Sequence, residues 1–345
     1  MALFDLPLDQ LETYLPAAAE PHDLDAFWAG VLGRARATPA VLDAVLVDSG
    51  LSLVDAWDVT FAGFDGQPVR AWLTRPAGMR DVELPAVVEY VGYGRGRGLP
   101  HERITFAAAG YAHLVMDVRG QGAQYGSGGS TPDPVGSEPS TPGFATRGIG
   151  APATYYYTRL IADAVRAVDA VRELPGIDAQ RVAVLGNSQG GGLAVAVSGL
   201  VPDLVAVLAT APFLCHASRA IGMTDDLPYG EIVQYLAVHR GAEDAVLRTL
   251  SYVDGMHLAR RATAPTLFGV GLRDTVCPPS TVFAAFNHYG AHRAAAHGEM
   301  ARPRRDIAVY PFNHHEGGEA LHTRRQLTWL AELLADGPVE GGPAD

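Results

Sequence analysis

Between residues 84 and 310 one alternation recurs: a short, unbroken apolar run, then a stretch with helical spacing. The runs are "LPAVVEY", "AHLVM", "RVAVLG", "LVAVLAT", "PTLFGVG" and "RDIAVYPF". A strand that is apolar at every position has no face to show to water, so it must be covered on both sides. Covering both sides requires crossover segments long enough to hold a helix, and those join parallel strands. The pattern therefore predicts an α/β fold, a mostly parallel sheet with helices on both faces. Helices are expected near 100–110, over 155–174, from about 190, over 279–291 and over 318–335. Ahead of this, residues 53–76 alternate apolar and polar on both sides of Asp65-Gly66. A type I′ turn needs positive φ at both central positions, so this reads as an N-terminal hairpin.

Two stretches break the alternation. Residues 121–154 are rich in Gly, Ser, Thr and Pro without periodicity, and a loop that long in a compact domain is functional or interfacial when ordered. Residues 215–260 read as helical with no strand, as an excursion over the sheet would. The tail over 336–345 reads as frayed. No internal repeat is visible, and 48% hydrophobic residues supply a large core, so residues 1–345 are read as one domain.

Several function classes drop out. The net charge is −12 with no basic run, which disfavours nucleic acid and anionic membrane as partners. No apolar stretch reaches the roughly 18 residues that read as a membrane span. The start, "MALFDLPLDQLETYLP", carries acids early and lacks the basic-then-apolar order of a signal peptide. Cys215 and Cys277 alone cannot build a disulfide framework and suit a reducing compartment, so the expected location is the cytoplasm. All 26 basic residues are arginine. Without lysine there is no Walker phosphate loop, pyridoxal Schiff base, kinase lysine or Ser–Lys dyad.

At 186–190 "GNSQG" follows an apolar strand and opens a helix. This is the setting of a nucleophile elbow, in which Ser188 sits on a strained strand-to-helix turn. Gly186 and Gly190 are then needed because side chains two before and two after the serine would collide, while Gly191 and Gly192 let the helix approach the sheet. Such a serine stands above the carboxyl ends of the strands, where open α/β sheets bind ligands. Asp274 follows the strand "PTLFGVG" and the pair His314-His315 follows "RDIAVYPF". The chain order Ser…Asp…His thus puts a carboxylate and an imidazole at the same sheet edge. An imidazole takes the serine proton and a carboxylate holds its tautomer.

Two rivals use the same residues. "HHEGGEALH" resembles H-E-x-x-H, yet Glu319 stands where the second histidine is needed and Gly317-Gly318 weaken the helix. "VGYGRGRG" at 91–98 never completes G-x-G-x-x-G, so no metal and no nucleotide cofactor are expected. That segment instead lies after an early strand, where one oxyanion-hole N–H arises in such sheets.

With these motifs in place, the chain resembles the acetyl xylan esterase/cephalosporin C deacetylase group of α/β-hydrolases, carbohydrate esterase family 7. "RGQ" at Arg119-Gly120-Gln121, "GNSQGG" and "HE" at His315-Glu316 carry the resemblance, with "PFLC", "PYGEIVQYL" and "CPPSTVFAAFNHY" as flanks. It covers about residues 20–335. It implies the α/β-hydrolase fold, Ser188 as nucleophile, His315 as general base and Asp274 as its orienter. It further implies an oxyanion hole from the N–H groups of Tyr93 and Gln189, and a bracing role for Arg119, Gly120, Gln121 and Glu316. No cofactor is implied. The implied partners are a small acetylated substrate and other copies of the chain, in a ring resembling a hexamer. Two departures stand out: Val91 where the family often has histidine, and a link at 291–305 that is longer than the family's.

The expected activity is deacetylation of small acetylated carbohydrates, such as xylo-oligosaccharides, and of related acetyl esters such as cephalosporin C. A peptidase or acyltransferase on the same three residues, or a non-catalytic binding protein, remains open at this stage, because a fold does not fix a substrate.

Overall fold

Residues 5–17, 19–136 and 138–335 are described by the computed structural model, and the tail read as frayed, 336–345, lies outside them. The six apolar runs all become strands: β4 (Leu84–Tyr90), β5 (Ala112–Met116), β6 (Ile177–Asn187), β7 (Ala206–Thr210), β8 (Thr266–Gly271) and β9 (Arg305–Tyr310). Together with β1 (Val41–Val47), β2 (Val54–Ala62) and β3 (Pro68–Pro76) they form a nine-stranded sheet in the order β1-β2-β3-β5-β4-β6-β7-β8-β9. The pairings from β5 through β9 are parallel, and those among β1, β2, β3 and β5 are antiparallel.

Alternate residues of the central strands enter different clusters, as a doubly covered sheet requires. Val88, Val184 and Val207 pack with the helices Tyr156–Glu173 and Gln189–Leu200. Val87, Ala183, Leu185, Leu208 and Leu267 pack instead with Phe106 and with Trp329 and Leu330 of the helix Glu319–Ala335. The carboxyl ends of β4 through β9 consequently share one edge, which is where the loops bearing Tyr93, Ser188, Asp274 and His315 begin.

The hairpin forms with both central residues at positive φ (Asp65 48°, Gly66 74°), and Gln67 N donates to Phe64 O over 3.0 Å. Four differences from the sequence reading have local causes. The helix near 100–110 is a single turn, Thr105–Ala108, and the chain reverses at Gly110 with φ 98°. The helix expected over 279–291 stops at His288, because Tyr289 turns extended and Gly290 takes φ 71°. The long link then folds as a short helix, Ala291–His297, and a 3₁₀ turn, Glu299–Ala301. Strand β1 has no counterpart in the sequence reading. It lies at the sheet edge with mostly exposed positions, so burial leaves no alternating signature on it.

The excursion over 215–260 carries four helices and no strand, as expected: Ala217–Ala220, Tyr229–Val238, Glu243–Ser251 and Gly255–Ala259. The segment 121–154 holds no regular helix or strand among its described residues. Among the described residues no helix is long and apolar enough to cross a membrane.

Candidate active site

The four glycines at 186 and 190–192 each have a steric reason. Ser188 caps the helix Gln189–Leu200 with φ 59° and ψ −119°, a strained conformation for a residue with a side chain. The turn is so tight that a Cβ on Gly186 would lie 2.1 Å from the carbonyl carbon of Gly190. One on Gly190 would lie 1.9 Å from Tyr90 O. Gly191 and Gly192 face the backbone carbonyls of Thr210 and Phe213 at 2.5 and 2.1 Å in the same sense, which is the close helix approach expected from the sequence. Gly190→Ala is therefore expected to destabilise the fold by about 1–3 kcal/mol through overpacking against backbone that cannot rotate away. Calorimetry checks this, and an unchanged Tm contradicts it.

Ser188 Oγ lies 2.8 Å from His315 Nε2, and His315 Nδ1 lies 2.8 Å from Asp274 Oδ2. Asp274 is fully buried, and its other oxygen accepts from the N–H groups of Val276 (2.9 Å) and Cys277 (2.8 Å). A carboxylate so held keeps the His315 proton on Nδ1 and leaves Nε2 free to accept from Ser188. His314 is turned elsewhere, its Nδ1 2.9 Å from Arg273 O. Glu316 ties the turn that presents the histidine, accepting from Asn313 Nδ2 (2.8 Å) and His314 N (3.1 Å). Hydrogen bonds from its own N–H and from Asn313 hold the Glu316 carboxyl below the usual range.

Tyr93 follows β4 and lines the same cleft as Ser188 and His315, a cavity of about 650 Å³. Gln189 is the first residue of its helix, where a backbone N–H has no carbonyl partner one turn back. The Gln189 side chain is buried and ties three segments together. Its Oε1 accepts from Gln121 Nε2 (2.9 Å) and Tyr157 Oη (3.1 Å), and its Nε2 donates to Val91 O (3.3 Å). Gln121 Oε1 accepts in turn from Gly94 N at 2.7 Å, which pins the loop carrying Tyr93. Arg119, fully buried, makes a bidentate pair with Asp163 at 2.6 and 2.7 Å. Gly120 adopts φ 69° between them. Val91 is buried at the cleft wall, so its side chain adds no polar group there.

Sequence reasoning missed Glu231. Its Oε1 accepts from Tyr93 Oη and its Oε2 from Ala145 N (2.8 Å), while Tyr93 Oη accepts from Phe144 N (2.6 Å). Burial pushes the Glu231 carboxyl above its usual range, and burial beside Glu231 pushes the Tyr93 phenol up as well. This knot joins the helical excursion, the glycine-rich loop and the loop after β4. Asp163 was missed too, although a carboxylate inside the apolar stripe of "YYYTRLIADAVRAV" is a visible anomaly. Among the described residues no group of three or more His, Cys, Asp or Glu side chains is arranged to hold a metal ion.

Residues 1–333 match the acetyl xylan esterase (AXE1) family. The chain belongs to that family. An acetyl xylan esterase from Paenibacillus sp. R4 is 36% identical, superposes with a TM-score of 0.86 and is matched over 95% of this chain and 99% of its own. Acetyl xylan esterase 1 from Thermoanaerobacterium sp. JW/SL YS485 is 30% identical with a TM-score of 0.84, over 96% and 99%. The acetyl esterase Axe7A of Xylanibacter ruminicola is 29% identical over 333 residues, 94% of this chain and 70% of that one. The sheet described above is thus the α/β-hydrolase sheet, and this esterase is a carboxylic ester hydrolase.

Proposed function

We propose that Ser188, His315 and Asp274 form the catalytic triad of an acetylesterase acting on small acetylated carbohydrates. The observation that carries the reading is the unbroken chain Asp274–His315–Ser188 with two 2.8 Å links above the elbow. Ser188 Oγ attacks the acetyl carbonyl while His315 Nε2 takes its proton. The oxyanion forms against the N–H groups of Tyr93 and Gln189. His315 returns the proton to the departing sugar oxygen, leaving acetyl-Ser188. Water then attacks this ester with His315 as base, and acetate leaves. Arg119, Gly120, Gln121 and Glu316 position these groups through the contacts above without reacting.

The acetyl preference follows from the apolar walls of the cleft, among them Leu227, Pro228 and Val276. An acyl chain with methylenes that do not fit loses roughly 1–3 kcal/mol for each. The expected result is a fall in kcat/KM of at least about tenfold from a 4-nitrophenyl acetate to the butyrate. A butyrate preference contradicts it. On the alcohol side, relatives called acetyl xylan esterases support xylose-based substrates, and the cleft gives the alcohol room for others, cephalosporin C included. Acetate release quantified across acetylated xylo-oligosaccharides, intact acetylated xylan and cephalosporin C tests the range, with the oligosaccharides expected to be best.

The same reading treats the chain as a single cytoplasmic domain assembled into a ring of identical copies. Its support is the exposed apolar edge strand β1, where Leu42, Val45 and Leu46 are each about half exposed. An obligate interface buries more than about 2,000 Å² and persists at micromolar dilution. Light scattering is expected to give a multiple of the 36.4 kDa chain, and a monomer contradicts the assembly.

A further inference from the structure

Beside the Ser188 cleft lies a second cavity of about 290 Å³, and the two share four wall residues: Glu89, Arg103, Asn187 and Glu316. Two of these are chain neighbours of the triad, since Asn187 precedes Ser188 and Glu316 follows His315. The second cavity therefore adjoins the cleft that holds the reacting ester. Glu89 and Arg103 form the divide. Arg103 Nη1 donates to Glu89 Oε1, and His113 Nε2 lies 3.0 Å from Glu89 Oε2. Burial alone would raise the Glu89 carboxyl, but His113 and Arg103 outweigh it and hold it below the usual range.

An ion pair at the end of a strand as apolar as β4 is an expensive way to stabilise a sheet, because desolvation offsets most of its attraction. Facing two adjoining cavities, the same pair offers what a sugar ring needs. Each hydroxyl both donates and accepts, a carboxylate accepts only and a guanidinium donates only. Phe106 adds an apolar surface to the second cavity. Its volume is near the lower end for ligand pockets, about 300 Å³, which suits one ring rather than a chain. Glu102 and Glu319 add negative charge to the walls, so an anionic sugar is disfavoured.

We propose that this second cavity is a subsite for the neutral sugar unit next to the acetylated one, with Glu89 and Arg103 holding its hydroxyls. The inference rests on the esterase reading above. It is tested with three substrates, 4-nitrophenyl acetate, an acetylated methyl xyloside and acetylated xylobiose, and with Thr323→Trp, which fills the cavity from the far helix. Wild type is expected to show kcat/KM about tenfold higher for acetylated xylobiose than for the xyloside. Thr323→Trp is expected to abolish that advantage through KM while the aryl acetate rate holds within about twofold. Unacetylated xylobiose is expected to inhibit competitively, and its analogue bearing a uronic acid about tenfold more weakly. Should Thr323→Trp fail to fold, the smaller Thr323→Phe is read the same way, with KM for the disaccharide rising. Equal kcat/KM for xyloside and xylobiose in wild type overturns the subsite while leaving the esterase intact. No hydrolysis of any of the three substrates overturns the esterase reading itself.

Discussion

Ser188→Ala is expected to lower kcat on an acetyl ester by about 10⁴-fold or more while the protein stays folded. The fold survives because the Ser188 side chain makes no capping hydrogen bond to its helix, so removing Oγ orphans nothing in the backbone. Stability points the same way. A residue held at φ 59° and ψ −119° stores strain, and Ser188→Gly relieves it. The glycine variant is expected to melt above the alanine one, and both to be inactive. A serine-directed organophosphate is expected to block wild type with one adduct, mapped by peptide mass spectrometry to Ser188. An adduct on any other residue, or an active alanine variant, removes Ser188 from the mechanism.

Asp274→Asn is the second large effect, and the geometry specifies how it acts. Asp274 Oδ1 accepts from Val276 N and Cys277 N, so an asparagine there keeps its oxygen on those two donors. Its amide nitrogen then faces His315 Nδ1 as a donor. His315 must answer with an unprotonated Nδ1, which moves its proton to Nε2, toward Ser188. The base then points the wrong hydrogen at the nucleophile, and kcat falls by about 10⁴-fold with the fold intact. His315→Asn is expected to be as inactive, whereas His314→Asn loses little, since the His314 ring nitrogen Nδ1 lies against Arg273 O, away from Ser188. Steady-state kinetics with circular dichroism on each variant checks this. Equal losses at both histidines would leave the base unassigned.

Much of this architecture was legible because burial on both faces writes unbroken apolar runs into β4 through β9, and the elbow forces glycine where Gly186 and Gly190 stand. Strand β1 was not legible because exposure removes any selection for alternation along it. At His314-His315 the chemistry of two adjacent imidazoles is the same, so only the resemblance separated them. What separates them in space is the hydrogen bonding of Asp274 and Arg273 O, and neither is local in sequence. Glu231 was hidden for the same reason. Its partners lie 138 residues away at Tyr93 and 86 away at Ala145, and such contacts leave no periodic trace.

The glycines at 186 and 190–192 divide the site into a part that cannot drift and a part that can. Around Gly190, Gly191 and Gly192 the nearest neighbours are backbone carbonyls of Tyr90, Thr210 and Phe213, not side chains, so no ordinary substitution at these glycines leaves the turn intact. Room for substitution lies at the rim, where Tyr125, Leu227 and Val276 come from the glycine-rich loop, the helical excursion and the loop after β8. A lineage built on this scaffold can therefore change what it hydrolyses by exchanging loop residues, while the turn that holds its nucleophile stays frozen.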